Sequence, residues 1–381
     1  MAEKGYGDLK PLSVYLEHGV VPRAEQTDNH NSLGADLDGY LRVLPGDVVF
    51  NKLRTWQGGL GVSRDEGIVS PAYFVCRAAA RAEPRFLHHL LRSAPYLAEL
   101  TRRSKWMPPS QFDISWDALR TLPLLLPPHD LQRRIADFLD DQVALLDRAI
   151  HHRHTQADLL AERRSSSLEA IFGTSQDSVL PLRRVVVKWI DYRGATPTKT
   201  SSGVPLVTAK NIRGGNVTFE ASQEFIAIED YGPWMRRGLP IRGDVLLTTE
   251  APLGEVAQID DTDIALAQRV ILLRADQAFI HARWLYWYLR SPQGQSELWQ
   301  RATGTTAQGI KAERLRELPI PIPSREEQLR LMRDAERAES AWQESVPLLN
   351  RSAALMGERR QALITAAVTG QFDVTTARSV A

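Results

Sequence analysis

The sequence predicts an α+β fold, in which two mixed α/β domains are separated by two long antiparallel helices that form a coiled-coil spacer. Three observations support this prediction. The 381-residue chain repeats itself at an offset of 196 to 198 residues, each repeat opens with short apolar runs between glycine and proline turns, and each closes with a long stretch of helical periodicity. The same parts in the same order indicate an internal pseudo-two-fold repeat.

The repeat is visible as short segments that match at a nearly constant spacing. The pairs at an offset of 196 are Leu122–Pro127 with Leu318–Pro323, Gln132 with Gln328, and Glu162–Arg164 with Glu358–Arg360. Two further pairs, at 197 and 198, are Pro45–Val49 with Arg242–Leu246 and Leu91–Ser93 with Leu289–Ser291. Chance matches between common dipeptides would not keep one slowly drifting offset, so we infer a duplication.

Each repeat begins with a predicted sheet. Residues 14–73 and 182–273 contain short apolar runs separated by turn signals such as Pro45–Asp47 and Gly214–Asn216, which is typical of short strands in a twisted sheet or barrel-like module. A shorter stretch of helical spacing follows at 85–103 and at 282–301. A proline-bounded apolar strip then leads into the long helix.

The long helices have the clearest periodicity in the chain. Apolar residues recur every three or four positions over 130–172, and again after Ser324, which with Glu327 forms a capping-box pattern. A narrow apolar stripe of this length requires a partner, so we expect the two helices to pack on each other. His151–His154 interrupts the first stripe, and Pro347 is expected to kink or break the second helix.

Composition narrows the possible functions. The chain is 43% hydrophobic and 24% charged, with a net charge of +1, so any nucleic-acid surface must come from local clusters of basic residues. A single cysteine, Cys76, excludes a disulfide framework. The start has no signal-peptide core and no apolar run has membrane length, so a cytoplasmic location is expected.

Searches for catalytic and metal-binding patterns lead to negative predictions. The sequence has no Gly-x-x-x-x-Gly-Lys-Ser/Thr loop, no His-Glu-x-x-His and no Asp/Asn-Pro-Pro-Tyr/Phe tetrapeptide of amino-group DNA methyltransferases. His151, His152 and His154 have no carboxylate or cysteine at chelating spacing, and we interpret them as a polar patch. We therefore expect no catalytic residue, no metal and no bound cofactor.

Basic clusters among small hydroxyl residues stand out instead. Residues 183–219 contain seven lysines and arginines but only one acidic residue, and threonines and serines lie between them. The segments Lys52–Trp56 and Arg102–Trp106 have a similar composition. Lysine and arginine neutralise phosphates, while arginine and asparagine pair with guanine and adenine edges. Each cluster alone is more often a solvated surface, so composition by itself makes DNA contact only one of two interpretations.

The motifs converge on one family. Leu318–Pro323, Glu327-Gln328 and Glu358–Gln371, the last reading Glu-Arg-Arg-Gln-Ala-Leu-Ile-Thr-Ala-Ala-Val-Thr-Gly-Gln, closely resemble the specificity subunit of type I restriction-modification systems. The first copy departs from the pattern, because Ile171–Gly173 replaces the Ala-Val-Thr-Gly ending. The second repeat opens near Leu182, whose counterpart would precede Met1, so we expect the first domain to lack an opening strand or to start downstream of the usual family start.

The resemblance implies a division of the chain. It gives a target-recognition domain at 1–127, a central conserved helix at 128–173, a second recognition domain at 174–322, a C-terminal conserved helix at 323–370 and a tail at 371–381. Such a protein reads a bipartite double-stranded DNA target and docks two methyltransferase subunits and restriction subunits. S-adenosylmethionine, ATP and Mg²⁺ are then expected in those partners, which methylate adenine and cleave DNA.

Candidate DNA contacts follow from the basic loops together with the resemblance. They are Arg54, Arg102, Arg103, Lys105 and Gln111 in the first domain, and Lys199, Lys210, Asn211, Arg213 and Gln308 in the second. Two alternatives remain open at this stage: an adaptor of the same type that borrows the methyltransferase subunits of another system, and a coiled-coil scaffold with no role on DNA.

Overall fold

The fold is described from a computed structural model. It describes residues 3–16, 19–23, 37–107, 111–173, 178–193, 195–304 and 308–374. The chain divides into two compact units: unit 1 comprises Met1–Thr155 with Leu349–Ala381, and unit 2 comprises Gln156–Leu348. Both units mix helices with sheets, as predicted.

Unit 1 has short strands where the sequence places β-branched runs between turns. They are β1 Leu12–Tyr15, β2 Gly19–Pro22, β3 Leu41–Val43, β4 Val48–Asn51, β5 Leu60–Val62, β6 Gly67–Val69, β7 Tyr73–Cys76, β8 Lys105–Met107 and β9 Gln111–Asp113. The central sheet has the antiparallel order β5–β4–β7. The other strands form the pairs β1–β2, β3–β6 and β8–β9.

Three short helices follow that sheet in unit 1: α1 Pro84–Leu91, α2 Ala94–Arg103 and α3 Trp116–Arg120. The single helical stretch predicted at 85–103 is thus two helices. Pro95 lies in the first turn of α2, where its missing N–H costs nothing, and it prevents α1 from continuing. Phe86 and Leu90 are fully buried against Leu60 and form the centre of the core.

Unit 2 has a larger sheet system. Its strands are β10 Val179–Pro181, β11 Val186–Asp191, β12 Val204–Val207, β13 Ile212–Arg213, β14 Asn216–Val217, β15 Phe225–Ile226, β16 Val245–Thr249, β17 Leu253–Gln258, β18 Ala265–Leu266, β19 Val270–Ala275 and β20 Pro319–Pro321. The main sheet has the order β11–β19–β16–β17, and β10 pairs with β20. A second sheet, β15–β12–β18, contains one parallel pair.

The short helices of unit 2 are α5 Ile228–Trp234, α6 Ala282–Arg290, α7 Pro292–Gln300 and α8 Ala312–Arg316. The stretch predicted at 282–301 is again two helices, because Ser291 caps α7 through its Oγ, which accepts the Gly294 N–H at 3.1 Å, and Pro292 follows. Trp284 and Trp287 of α6 are almost fully buried in the core.

The two long helices are α4 His129–Gly173 and α9 Arg325–Val368. Ser324 accepts the Glu327 N–H at 3.2 Å, as the capping pattern predicted. Pro347 does not break the helix, since α9 runs through it without interruption, and a kink there stays a prediction. Within the described residues no helix is both long and apolar enough to cross a membrane.

Each unit pairs the start of one long helix with the end of the other. In unit 1, Ile135 and Leu139 near the start of α4 share a core with Ile364 and Ala367 near the end of α9. In unit 2 the relation is reversed: the end of α4 and the start of α9 share a core through Leu168, Phe172, Leu331, Met332 and Ala335. Within each unit the two helix segments therefore run antiparallel.

A buried glutamine joins the long helix to the short helices in unit 1. Gln132 of α4 is 1% exposed, and its Oε1 accepts the Glu83 N–H at 2.9 Å. Its Nε2 donates to the carbonyl oxygens of Arg81 at 3.1 Å and Pro127 at 2.7 Å. One side chain thus satisfies three backbone groups from the loop before α1 and the strip before α4.

Unit 2 has the same joint 196 residues later. Gln328 of α9 is 1% exposed, and its Oε1 accepts the His281 N–H at 2.8 Å. Its Nε2 donates to the carbonyl oxygens of Phe279 at 3.1 Å and Pro323 at 3.0 Å. The duplication of the chain stays a prediction, but each unit holds its long helix to its short helices by the same three bonds.

Candidate nucleic-acid interface

An aromatic stack in unit 1 carries an exposed basic surface. Trp56 and Trp106 each lie 5.0 Å, centroid to centroid, from the ring of Phe112 on β9. These ring contacts pack the hairpin β8–β9 against the turn that contains Arg54. Trp106 nevertheless remains 49% exposed. An exposed aromatic ring among basic groups is a surface on which nucleic-acid bases or sugars can pack.

Three of the predicted residues in unit 1 lie on this surface. Arg54 is exposed on a turn whose backbone is fixed by bonds from Gln57 and Gly59 to its carbonyl oxygen. Lys105 and Gln111 are exposed on the paired strands β8 and β9. The fold therefore brings a turn and a hairpin that are about fifty residues apart in the sequence to one place.

Arg102 and Arg103, at the end of α2, share one carboxylate. Both donate to Glu99, and these hydrogen bonds, first from Arg102 and then from Arg103, lower the pKa of Glu99 to about 2. Arg103 also donates to the Ala118 carbonyl and the Thr121 hydroxyl, and only 19% of its side chain is exposed. Arg103 thus links α2 to α3 by hydrogen bonds, whereas the side chain of Arg102 is exposed.

Unit 2 has a cleft of about 240 Å³. Its lining residues are Thr196, Pro197, Lys199, Leu206, Thr208, Ala209, Lys210, Glu224, Ala251, Ala267, Gln268 and Arg269. Lys199 lies 2.7 Å from Glu224, and Arg269 lies 3.0 Å from Glu250. Lys210 has no ion pair among the described residues, so the cleft carries one uncompensated positive charge beside several hydroxyl and amide groups.

Asn211 lies behind this cleft and is fully buried. Its Oδ1 accepts from the Thr208 N–H at 2.9 Å, and its Nδ2 donates to the carbonyls of Thr218 and Ser222 at 2.9 and 2.8 Å. A buried amide with these partners is not available to an adenine edge. We therefore correct the sequence interpretation: Asn211 shapes the loop that presents Lys210.

Two predicted residues lie near the cleft but do not line it. Arg213 is exposed on the hairpin β13–β14, which Tyr286 holds by donating to the Gly215 carbonyl at 3.2 Å. Gln308 is exposed in a loop that reaches the cleft rim through the bridge between Glu250 and Gly309. Of the unit 2 candidates, Lys199 and Lys210 therefore line the cleft, whereas Arg213 and Gln308 are exposed outside its lining.

Sequence reasoning missed Gln268 and Arg269. A signal was present, because these two residues are the only polar ones in the run Ile264–Leu273. Polar residues that interrupt a buried strand pattern mark a place where the backbone opens to a surface. Gln268 accepts from the Thr196 hydroxyl at 3.2 Å and fixes one wall of the cleft.

Metal binding finds no support in the side chains that the structure describes. Within that part of the chain no group of three or more His, Cys, Asp or Glu residues can hold a metal ion. His151 and His152 lie next to each other on α4, with ring centroids 6.2 Å apart.

Comparisons with known proteins bear on this interface. Residues 237–332, which run from before β16 to the first turns of α9, match the family model of the type I restriction modification DNA specificity domain. The comparison with curated proteins finds no match. The matched region contains Gln268 and Arg269, which line the cleft, and Gln308, which does not.

Solved structures share the fold. One is a chain from work on the structural basis of complex assembly and conformational transition of the type I R-M system, with a TM-score of 0.71, 18% identity, and coverage of 98% of this chain and 95% of that chain. Another is the HsdS subunit from Thermoanaerobacter tengcongensis, with a TM-score of 0.53, 18% identity, and coverage of 97% and 96%. The family match confirms the resemblance seen in the sequence over residues 237–332, which carry a type I restriction modification DNA specificity domain, and the chain shares the fold of these solved structures over nearly its whole length.

Proposed function

We propose that this chain reads a bipartite double-stranded DNA target, one half-site with each unit, for a type I restriction-modification complex. The observation that carries the proposal is the repeated glutamine joint. Gln132 and Gln328 hold a long helix to the same two backbone segments of each unit, so both recognition modules are held to a long helix in the same way. Two modules held alike are suited to two half-sites separated by a spacer.

The surfaces for the two half-sites follow from the geometry. For one half-site we propose Arg54, Arg102, Lys105 and Gln111, and for the other Lys199, Lys210, Arg213, Gln268, Arg269 and Gln308. Lysine and arginine at these positions supply phosphate contacts, which position the protein, and the amides and threonines supply base-edge or sugar contacts. Arg103 and Asn211 act behind them as positioning residues.

The long helices serve as a coiled-coil spacer and as a docking surface for two methyltransferase subunits, with restriction subunits joining that complex. Exposed leucines support docking. In unit 1 these are Leu145 and Leu355, and in unit 2 Leu159, Leu329 and Leu348, between 42% and 68% exposed. We propose that the partner subunits cover these leucines, which lie singly along the two helices. S-adenosylmethionine, ATP and Mg²⁺ belong to those partners.

The test uses the complex reconstituted with its methyltransferase subunits. Lys210→Glu with Arg213→Glu reverses one exposed charge that lines the unit 2 cleft and one on the hairpin β13–β14, and we expect adenine methylation at the target to be abolished. Arg236→Glu with Arg242→Glu makes the same change in charge at two other exposed positions of unit 2 and should leave most of the methylation intact. Sequencing of N6-methyladenine in treated DNA gives the readout.

The outcomes separate the possible roles. Loss of one bipartite methylated motif in the cleft variant alone supports DNA reading by this unit. Unchanged methylation in the cleft variant, with the chain still bound to its partners, contradicts it. An absence of any methylated motif that depends on the unaltered chain would instead favour a scaffold.

A further inference from the structure

Unit 1 contains an apolar groove of about 270 Å³ beside the outer edge of β7. Its floor includes Phe50, Leu87, Leu91 and Leu119, and one wall is formed by Leu122, Leu124 and Leu126. Leu124 on this wall is still 42% exposed to water. An exposed apolar wall next to a strand edge is a position where a further strand can pair.

The matching place in unit 2 is filled. There β11 pairs with the outer edge of β19, and β10 pairs with β20, which is the counterpart of the strip in unit 1. One continuous segment, Ser178–Asp191, supplies both strands. Leu182 and Val185 of that segment are fully buried in the core.

In unit 1 the backbone at Leu124 is available for the pairing that β10 makes with β20 in unit 2. In unit 2, Leu180 pairs with Ile320, whose counterpart 196 residues earlier is Leu124. Tyr96 donates to the Pro123 carbonyl at 3.2 Å and accepts the Leu125 N–H at 2.8 Å, so it occupies the other edge of the strip. The N–H and C=O of Leu124 have no hydrogen-bond partner among the described residues.

The outer edge of β7 is open in the same sense. Its inner edge pairs with β4 from Cys76 to Tyr73, and its outer edge has no strand partner in the part of the chain that the structure describes. Arg120 lines the groove at the position that corresponds to Arg316, whose guanidinium lies 5.5 Å from the ring centroid of Trp189 on β11. The groove thus offers a cation for an aromatic side chain as well as two free backbone edges.

We propose that unit 1 has an open strand seat, formed by β7, the backbone of Leu124 and the apolar groove between them, which binds an extended apolar polypeptide strand with the chemistry of Ser178–Asp191. The partner strand pairs with Leu124 through a leucine-proline segment and then with β7 through a β-branched segment. Two aliphatic side chains fill the groove, and an aromatic one packs on Arg120. This is β-augmentation, in which main-chain bonds supply affinity and alternate side chains supply specificity.

A peptide with the sequence of residues 178–191 is the probe, carrying an N-terminal fluorophore and added to the full chain. We expect a saturable rise in anisotropy with one peptide bound per chain. A second peptide, in which the residues equivalent to Leu182 and Val185 are both aspartate, has the same backbone and should bind at least about tenfold more weakly, because it cannot fill the groove.

Two matched protein variants locate the binding. Leu124→Asp places a charge on the groove wall and should weaken binding at least about tenfold, whereas Leu125→Asp, at a more exposed neighbour that does not line the groove, should change it by less than about threefold. Hydrogen exchange should show protection of the amides of β7 and Leu124 when the peptide is bound.

The proposal is overturned if the peptide does not bind, if both peptides bind equally, or if the two variants weaken binding equally. It is also overturned if protection appears only outside β7 and the strip. None of these measurements uses DNA, so failure of the strand seat is distinguishable from failure of the DNA-reading role.

Discussion

Units 1 and 2 surround the same joint with different side chains. Next to Gln328, unit 2 packs Tyr286 and Trp287 under the guanidinium of Arg283, which lies 4.3 and 5.1 Å from their ring centroids. At the positions 198 residues earlier, unit 1 has His88 and His89 beside a cavity of about 400 Å³. The difference teaches that the glutamine joint needs its three backbone partners and does not depend on the layer packed beside it.

The buried charges differ in the same way. In unit 2, Glu339 is 5% exposed and accepts from Arg164 and Arg290. Val143 occupies the matching position of α4 in unit 1, where Arg92 donates instead to the carbonyls of Gly58 and Leu60. Unit 2 therefore joins two arginines through one buried carboxylate, whereas in unit 1 Arg92 donates to backbone acceptors and Arg360, the counterpart of Arg164, pairs separately with Asp147.

The largest loss of stability should come from removing the carboxylate of Glu339, which holds the ionic cluster of unit 2 together. Glu339→Ala leaves two guanidinium groups without their carboxylate, and we expect a loss of about 3–5 kcal/mol in unit 2. Val143→Ala, the matched change in unit 1, should cost about 1 kcal/mol. Hydrogen exchange read separately for each unit makes the measurement, since a chain with two units need not unfold in one step.

The pH dependence of Glu339 provides a check. Burial alone would raise its pKa, but the hydrogen bonds and charges of Arg164 and Arg290 together lower it. A lowered pKa means that this stabilisation is present above the unfolded value of about 4.5 and is lost as the pH falls below it. Equal losses of stability in Glu339→Ala and Val143→Ala would contradict the assigned difference between the units.

A smaller loss of stability, equal in the two units, is expected when either joint glutamine is replaced. Gln132→Ala and Gln328→Ala each leave three buried backbone groups unpaired, and each should destabilise its own unit by about 2–4 kcal/mol. Gln300→Ala, at an exposed glutamine, is the control and should have little effect. A difference of more than about 2 kcal/mol between the joint variants would show that the surroundings matter.

The smallest predicted change in stability comes from the protonation of His88. Enclosure first, and then the neighbouring His89 and Arg92, lowers the pKa of His88 to about 3. The unfolded chain binds this proton below pH of about 6.5, so stability is complete above that pH and falls below it, by about 2 kcal/mol at pH 5. Urea titrations of unit 1 across this range measure the slope.

His88→Asn keeps an acceptor for the Val62 N–H, which His88 Nδ1 accepts at 3.3 Å, and should flatten the slope. His151→Asn, at an exposed histidine of α4, should leave the slope unchanged. Parallel slopes in all three proteins would mean that His88 is not the titrating group.

Periodicity was sufficient to predict the parts that depend on burial along one element. The ends of α4 and α9, the capping by Ser324 and the order of strands before helices follow from apolar spacing and turn residues. The breaks at Ser93 and Ser291 were missed, because each short helix alone has the same spacing as one longer helix. Pro347 does not break α9, although a proline inside a helix removes one hydrogen bond and favours a break or a kink.

Site residues were harder to predict, since exposure and pairing depend on contacts between distant segments. Lys210 and Asn211 are adjacent in the same polar stretch, yet one faces the cleft and the other is fully buried. Arg102 and Arg103 divide in a similar way. Composition marks a basic loop, but only the fold decides which of its side chains is free to bind.

The antiparallel pairing within each unit has a consequence for synthesis. Unit 2 is one continuous stretch, whereas unit 1 is completed only by Leu349–Ala381. On the ribosome, the core around Ile135 and Leu139 must wait for Ile364 and Ala367 to emerge, long after its own strands have been made. Unit 2 is therefore expected to mature first, and the first-made segment of unit 1 is the part of the nascent chain that most needs protection by chaperones.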